Sequence, residues 1–146
     1  MGSSDKHPVK KNIPVVRTFS VPFPLEGNTK NIIINTKTPS KPSKEQIISQ
    51  AFQFHSEGNI PAAAKYYQLF INQGFKDYRV FSNYGIILQN LRKFIEAENY
   101  YQKAIELNPN FADAHYNLGV TMKSLGKLKE AELSIKKAIE LDPNFP

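Results

Sequence analysis

The chain has 146 residues, 40% of them hydrophobic and 12% aromatic, enough to bury one sizeable core if most of the chain folds. It has no Cys, which excludes disulfides, thiolate metal sites and Cys nucleophiles, and no window approaches the roughly 20 apolar residues of a membrane helix. The net charge of +6 is unevenly placed: residues 1–43 hold seven Lys/Arg against two acids, residues 44–146 twelve against eleven.

The N-terminus lacks the charged-then-apolar plan of a secretion signal. Lys6 stands where a myristoylation site needs Ser or Thr. The expectation is a soluble, cytoplasmic protein with no membrane span. Residues 1–43 also carry six of the ten prolines, which remove backbone donors and bias their predecessors toward extended geometry. This segment reads as an extended, partly disordered basic arm. Two apolar pieces within it, Phe19–Leu25 and Ile32–Ile34, have the character of straps that dock on the rest. Its Lys residues are scattered with no run of five, which argues for a solvated tail and against nucleic acid as the partner.

At Ser43 the character changes. Ser43 with Gln46 three residues on forms a capping box that opens a helix. Beyond it apolar and small residues recur at helical spacing, with breaks at Gly58-Asn59, Gln73-Gly74 and Gly126-Lys127. The segment Lys103-Ala104-Ile105-Glu106-Leu107-Asn108-Pro109-Asn110-Phe111 returns 34 residues later as Lys137-Ala138-Ile139-Glu140-Leu141-Asp142-Pro143-Asn144-Phe145. The same offset carries Asn83 to Asn117, Gly85 to Gly119, Lys93 to Lys127 and Glu96-Ala97-Glu98 to Glu130-Ala131-Glu132. One step further back, Ala63 and Tyr66-Tyr67 form a weaker copy of Ala97 and Tyr100-Tyr101.

A period of 34 residues with two helical halves resembles the tetratricopeptide repeat (TPR), framed here as 44–77, 78–111 and 112–145. The small eighth residue of the family falls on Ala51, Gly85 and Gly119, and the Ala at position twenty on Ala63, Ala97 and Ala131. The aromatic at position twenty-four falls on Tyr67 and Tyr101, with Ile135 in the third repeat. The first repeat departs from the pattern, with Phe70 and Phe75 where the others have Ala104, Ala138, Pro109 and Pro143. The resemblance implies an all-α fold, a right-handed α-solenoid of three helix–turn–helix repeats preceded by the Pro-rich arm. Physically, the small residues let the paired helices approach, Leu118, Leu125, Leu128 and Ile135 fill the space around them, and stacked neighbours supply the stability.

Catalytic constellations do not emerge. The three His residues, His7, His55 and His115, show no i, i+4 pairing and no acids at metal-ligand spacing, and His115 reads as a packing residue. The repeat glycines form no phosphate-binding loop, and Glu96 with Glu98, at i, i+2, do not face each other on a helix. Tyr66, Tyr67, Tyr100 and Tyr101 recur at the repeat period, as core residues do. No enzyme, cofactor or metal is expected.

The resemblance further implies a concave groove lined by the first helix of each repeat. Its lining maps to Glu45, Ile48, Phe52, His55 and Ser56, then Arg79, Ser82, Ile86, Gln89 and Asn90, then Asp113, Tyr116, Val120, Lys123 and Ser124. Ile48, Phe52, Ile86, Tyr116 and Val120 make an apolar strip, with Arg79, Gln89, Asn90 and Lys123 beside it, a composition that suits a protein or peptide partner with apolar anchors. The family's subset that holds chaperone C-terminal carboxylates uses five positions that here are Ile48, Phe52, Asn83, Asp113 and Asn117. Only Asn83 conforms, which argues against that ligand.

The chain stops after the third repeat without the polar closing helix usual in such arrays, which leaves a surface around Ile135, Ile139 and Leu141 open. Self-association through that uncapped repeat, cover by the apolar arm pieces, or descent from a longer array would each account for it. Bacterial proteins with similar repeats often continue into further repeats or a methyl-, glycosyl- or sulfotransferase domain. A remnant or regulatory front end of such a transferase is therefore the alternative to a non-catalytic interaction scaffold.

Overall fold

The computed structural model describes residues 41–144; residues 1–40 of the arm, with its two apolar pieces and His7, and the last two residues lie outside the described residues. Six helices follow one another: α1 (Lys44–Ser56), α2 (Ile60–Asn72), α3 (Tyr78–Asn90), α4 (Phe94–Leu107), α5 (Ala112–Ser124) and α6 (Leu128–Leu141). They form an all-α solenoid in which α1 pairs with α2, α3 with α4 and α5 with α6. None of them is long and apolar enough to cross a membrane.

Local chemistry sets the helix starts. Ser43 Oγ accepts from the Gln46 amide at 3.2 Å while Gln46 Oε1 accepts from the Ser43 amide at 2.9 Å, the reciprocal bond of a capping box. Asn59 caps α2 with Pro61 in its first turn, and Asp77 caps α3. The two-helix turns close through residues with left-handed backbone spaced 34 apart: Gly58 (φ 75°), Arg92 (φ 59°) and Gly126 (φ 77°). Glycine adopts that region without a Cβ penalty; Arg92 does not.

The helix ends explain why the first repeat departs from the others. α4 and α6 stop two residues before Pro109 and Pro143, whose rings bar the preceding residue from helical geometry. There Asn108 and Asp142 accept from the amides of Asn110 and Asn144. α2 instead ends at Asn72 and the chain turns at Gly74 (φ 79°), and Phe75 folds back onto Phe70, ring centroids 5.4 Å apart. The contact of α2 with α3 is correspondingly less extensive than that of α4 with α5.

The core runs the length of the stack. Ala51, Ala63 and Ala97 are fully buried and Ala131 nearly so. A Cβ on Gly85 would sit 2.8 Å from Tyr101 Cε1, and one on Gly119 2.6 Å from Ile135 Cγ1. Tyr67 and Tyr101 are fully buried; Tyr67–Tyr84, centroids 6.4 Å apart, links the first two repeats, and Tyr84–Tyr100, 4.9 Å apart, links the helix pair of the second. Burial of such a side chain contributes about 1.5–3 kcal/mol. One expected core residue is misplaced by the sequence: Leu118 is buried, but Leu128 is 64% exposed on the outer side of α6, because no described helix packs over it.

Candidate partner-binding face

α1, α3 and α5 each place one apolar side chain at the same register: Phe52, Ile86 and Val120, 34 residues apart and each half-buried. Ile48 and Tyr116 are also half-buried, whereas Arg79, Asn90 and Lys123 are exposed. Ile48, Phe52 and Ile86 rest on the core cluster with part of their surface left open. Ser82, mapped to the same face, is 2% exposed and offers no surface.

Arg79 is fixed rather than free. Its Nε and Nη2 donate to the two oxygens of Asp77 at 3.1 and 2.8 Å, and its guanidinium lies 5.3 Å from the Phe52 ring centroid. Burial works to raise the Asp77 carboxyl, but the hydrogen bonds and charge of Arg79 prevail and hold it below its usual range. Asp77 thus caps α3 and orients a cation over the apolar strip at once.

Two residues mapped to the groove are engaged inside the repeats. His55 Nδ1 lies 2.8 Å from the Tyr67 hydroxyl, which also accepts from Asn83 Nδ2 at 3.2 Å. One period on, the Tyr101 hydroxyl donates to Gln89 Oε1 at 2.8 Å. Burial lowers the His55 imidazole below its usual value and pushes the Tyr67 phenol up to about 12, against the opposing Asn83 bond. Tyr67 is therefore the donor and His55 the neutral acceptor. These bonds join consecutive helices, and only the shared 34-residue spacing of Tyr67 with Tyr101 and His55 with Gln89 hints at them.

His115 takes a further role beside the packing that its sequence position suggests. It is half-buried, and its Nε2 donates to the Pro109 carbonyl at 2.8 Å, bracing the turn before α5. Among the described residues no group of three or more His, Asp or Glu is placed to hold a metal ion.

Comparison with known families and structures fits this arrangement. A tetratricopeptide-repeat family model matches residues 78–111, the span from the start of α3 to the residue before α5, and a second model of that repeat matches residues 100–132. Among solved structures, MamA is 23% identical with a TM-score of 0.66, covering 70% of this chain and 60% of MamA. The TPR2B domain of yeast Sti1, solved in complex with pHsp70, is 26% identical with a TM-score of 0.60 over 68% of this chain and 79% of that one. The second TPR of Spaghetti (RPAP3), bound to the HSP90 peptide SRMEEVD, is 26% identical with a TM-score of 0.62 over 68% and 94%. The chain thus spans less than two thirds of MamA and most of the two smaller domains. Comparison with curated proteins gives no match.

Proposed function

This chain is a tetratricopeptide-repeat protein with several repeats, and from that premise we propose that it is a non-catalytic interaction module that holds a peptide segment of another protein on the faces of α1, α3 and α5. The observation that carries this reading is the register of Phe52, Ile86 and Val120, one half-open apolar side chain per repeat with exposed polar side chains beside them. Such spacing suits a ligand with two or three apolar anchors. Arg79, pinned by Asp77, adds a positioned donor at the edge of the strip.

The two neighbours solved with chaperone peptides support peptide binding as a class. An acidic peptide such as SRMEEVD is not the ligand proposed here. Asp113 is an exposed carboxylate at a position where that subset carries a cation, and the Asn83 amide is already committed to Tyr67.

Selection from a displayed peptide library tests the reading. Peptides with two or more apolar anchors are expected, and Ile86→Asp or Tyr116→Ala should weaken them by about tenfold or more, a loss of at least about 1.4 kcal/mol. Deleting residues 1–42 should leave binding intact. The reading fails if no peptide is enriched, or if enriched peptides bind Ile86→Asp as well as the parent chain.

A further inference from the structure

The outer faces of the first and last helix pairs differ in kind. On α3, the side that meets the first repeat carries Val80, Asn83, Tyr84 and Ile87; Val80, Tyr84 and Ile87 are buried, and Asn83 reaches Tyr67. One period earlier the same positions on α1 are Gln46, Ser49, Gln50 and Gln53, exposed apart from the half-buried Gln50. The hollow of about 1100 Å³ beside them is walled by Gln46, Gln50, Lys65 and Gln68 as well as Tyr66 and Leu69. The side chains that α1 presents there are polar, unlike their apolar counterparts on α3.

α6 presents the opposite. Leu128 and Ile139 are 64% and 51% exposed, and with the half-buried Ile135 they line a hollow of about 680 Å³. Leu141, further along, is half-buried too. The counterparts one period earlier, Phe94, Tyr101 and Ile105, are buried or half-buried where α5 packs against α4. The polar groups are equally telling. On α4, Glu98 is bridged by Lys127 of the next repeat, both carboxylate oxygens 2.8 Å from Nζ. Its counterpart Glu132 lines the α6 hollow with Lys136 beside it, and among the described residues neither forms an ion pair.

The geometry points to a second copy of this chain as the occupant of this face, its α6 antiparallel to the first about a twofold axis. When Leu128 lies across from Ile139 of the partner subunit, helix spacing brings Lys136 beside Glu132 of the partner subunit. The twofold axis makes each contact twice, giving two apolar pairs and two ion pairs of the Glu98–Lys127 kind. A parallel pairing would set Glu132 against its own copy and Lys136 against its own. Head-to-tail stacking would set the apolar strip against the Gln and Ser side chains of α1. One helix face from each copy is a small interface, so the dimer is weak and concentration-dependent.

Sedimentation of the full chain from about 1 to 500 µM tests this, and a monomer–dimer equilibrium without larger species is expected. Glu132→Lys and Lys136→Glu should each weaken dimerisation by about tenfold, and the double variant carrying both should recover it to within about threefold. Ile139→Lys, at an exposed position, should abolish the dimer while leaving the helical circular dichroism unchanged. Ile86→Asp should leave the dimer intact, which separates this face from the peptide-binding one. A monomer at every concentration, growth beyond dimers, or association indifferent to the charge exchanges would each overturn the inference.

Discussion

The Tyr67 hydroxyl meets His55 Nδ1 at 2.8 Å, and one repeat later the Tyr101 hydroxyl meets Gln89 Oε1 at the same distance. The buried tyrosine of each of these repeats ties its own helix pair together, but in the first the acceptor can take a proton. Protonated, Nδ1 becomes a donor facing an oxygen that already accepts from Asn83. Burial lowers the folded-state pKa of His55 below its usual 6.5, so the folded chain binds fewer protons than the unfolded one as pH falls through that window. The contribution of His55 is therefore complete above the unfolded value and is lost on acidification toward the lowered one. Urea denaturation over a pH series should show stability falling below about pH 6.5. His55→Gln, which copies the second repeat, should keep the hydrogen bond and flatten that dependence. An unchanged slope in the variant would rule His55 out as its source.

Gly85 faces a ring that cannot retreat. Tyr101 is fully buried and its hydroxyl is held by Gln89, so a methyl group placed 2.8 Å from its Cε1 must push the helices apart. Ala has the better helix propensity by about 1 kcal/mol, and overpacking costs about 1–3 kcal/mol, so Gly85→Ala should be a net loss of about 1 kcal/mol. Thermal unfolding measures it; a rise in melting temperature would show that the helix pair relaxes freely.

Arg92 holds a left-handed backbone where Gly58 and Gly126 stand in the neighbouring repeats. An L-residue with a Cβ costs roughly 1–2 kcal/mol there, and glycine returns part of that gain through its freer unfolded chain. Arg92→Gly should raise stability by about 0.5–1 kcal/mol, read from denaturant midpoints at constant slope. Arg92→Ala should bring no comparable gain, since it keeps the Cβ.

Thr121 is fully buried and its hydroxyl has no hydrogen-bond partner among the described residues. The corresponding position one repeat earlier is Ile87, also buried. Thr121→Val keeps the shape and removes the unsatisfied oxygen, so it should stabilise the fold by about 1 kcal/mol in chemical denaturation. A loss instead would mean that the hydroxyl is satisfied in solution.

Much of this architecture was readable from spacing alone. The 34-residue offset, Ser43 with Gln46, and the small residues at 51, 85 and 119 are local or periodic signals, and the helices begin and pair as those signals require. The expected groove was harder. Gln89 and His55 were mapped to it by position, yet their polar atoms turn inward to tyrosines twelve residues away, and Ser82 is closed off. The fixing of Arg79 does have a local signal: Asp77, two residues earlier, is both a helix cap and its ion-pair partner. Leu128 misled because an apolar residue opening a helix reads as core whether or not a neighbour covers it. A pattern in one chain states which side chains seek burial; it does not state what arrives to bury them.

Gly74 and the altered end of α2 have a consequence for how the molecule comes apart. Across that junction Gln68 donates to the Tyr84 hydroxyl and Asn83 to that of Tyr67, but packing is thinner than at the junction between α4 and α5. In a nearest-neighbour array the weakest coupling decides where cooperativity breaks. The opening helix pair should therefore fray ahead of the rest, its amides exchanging with deuterium at a lower free energy than those of α3 to α5.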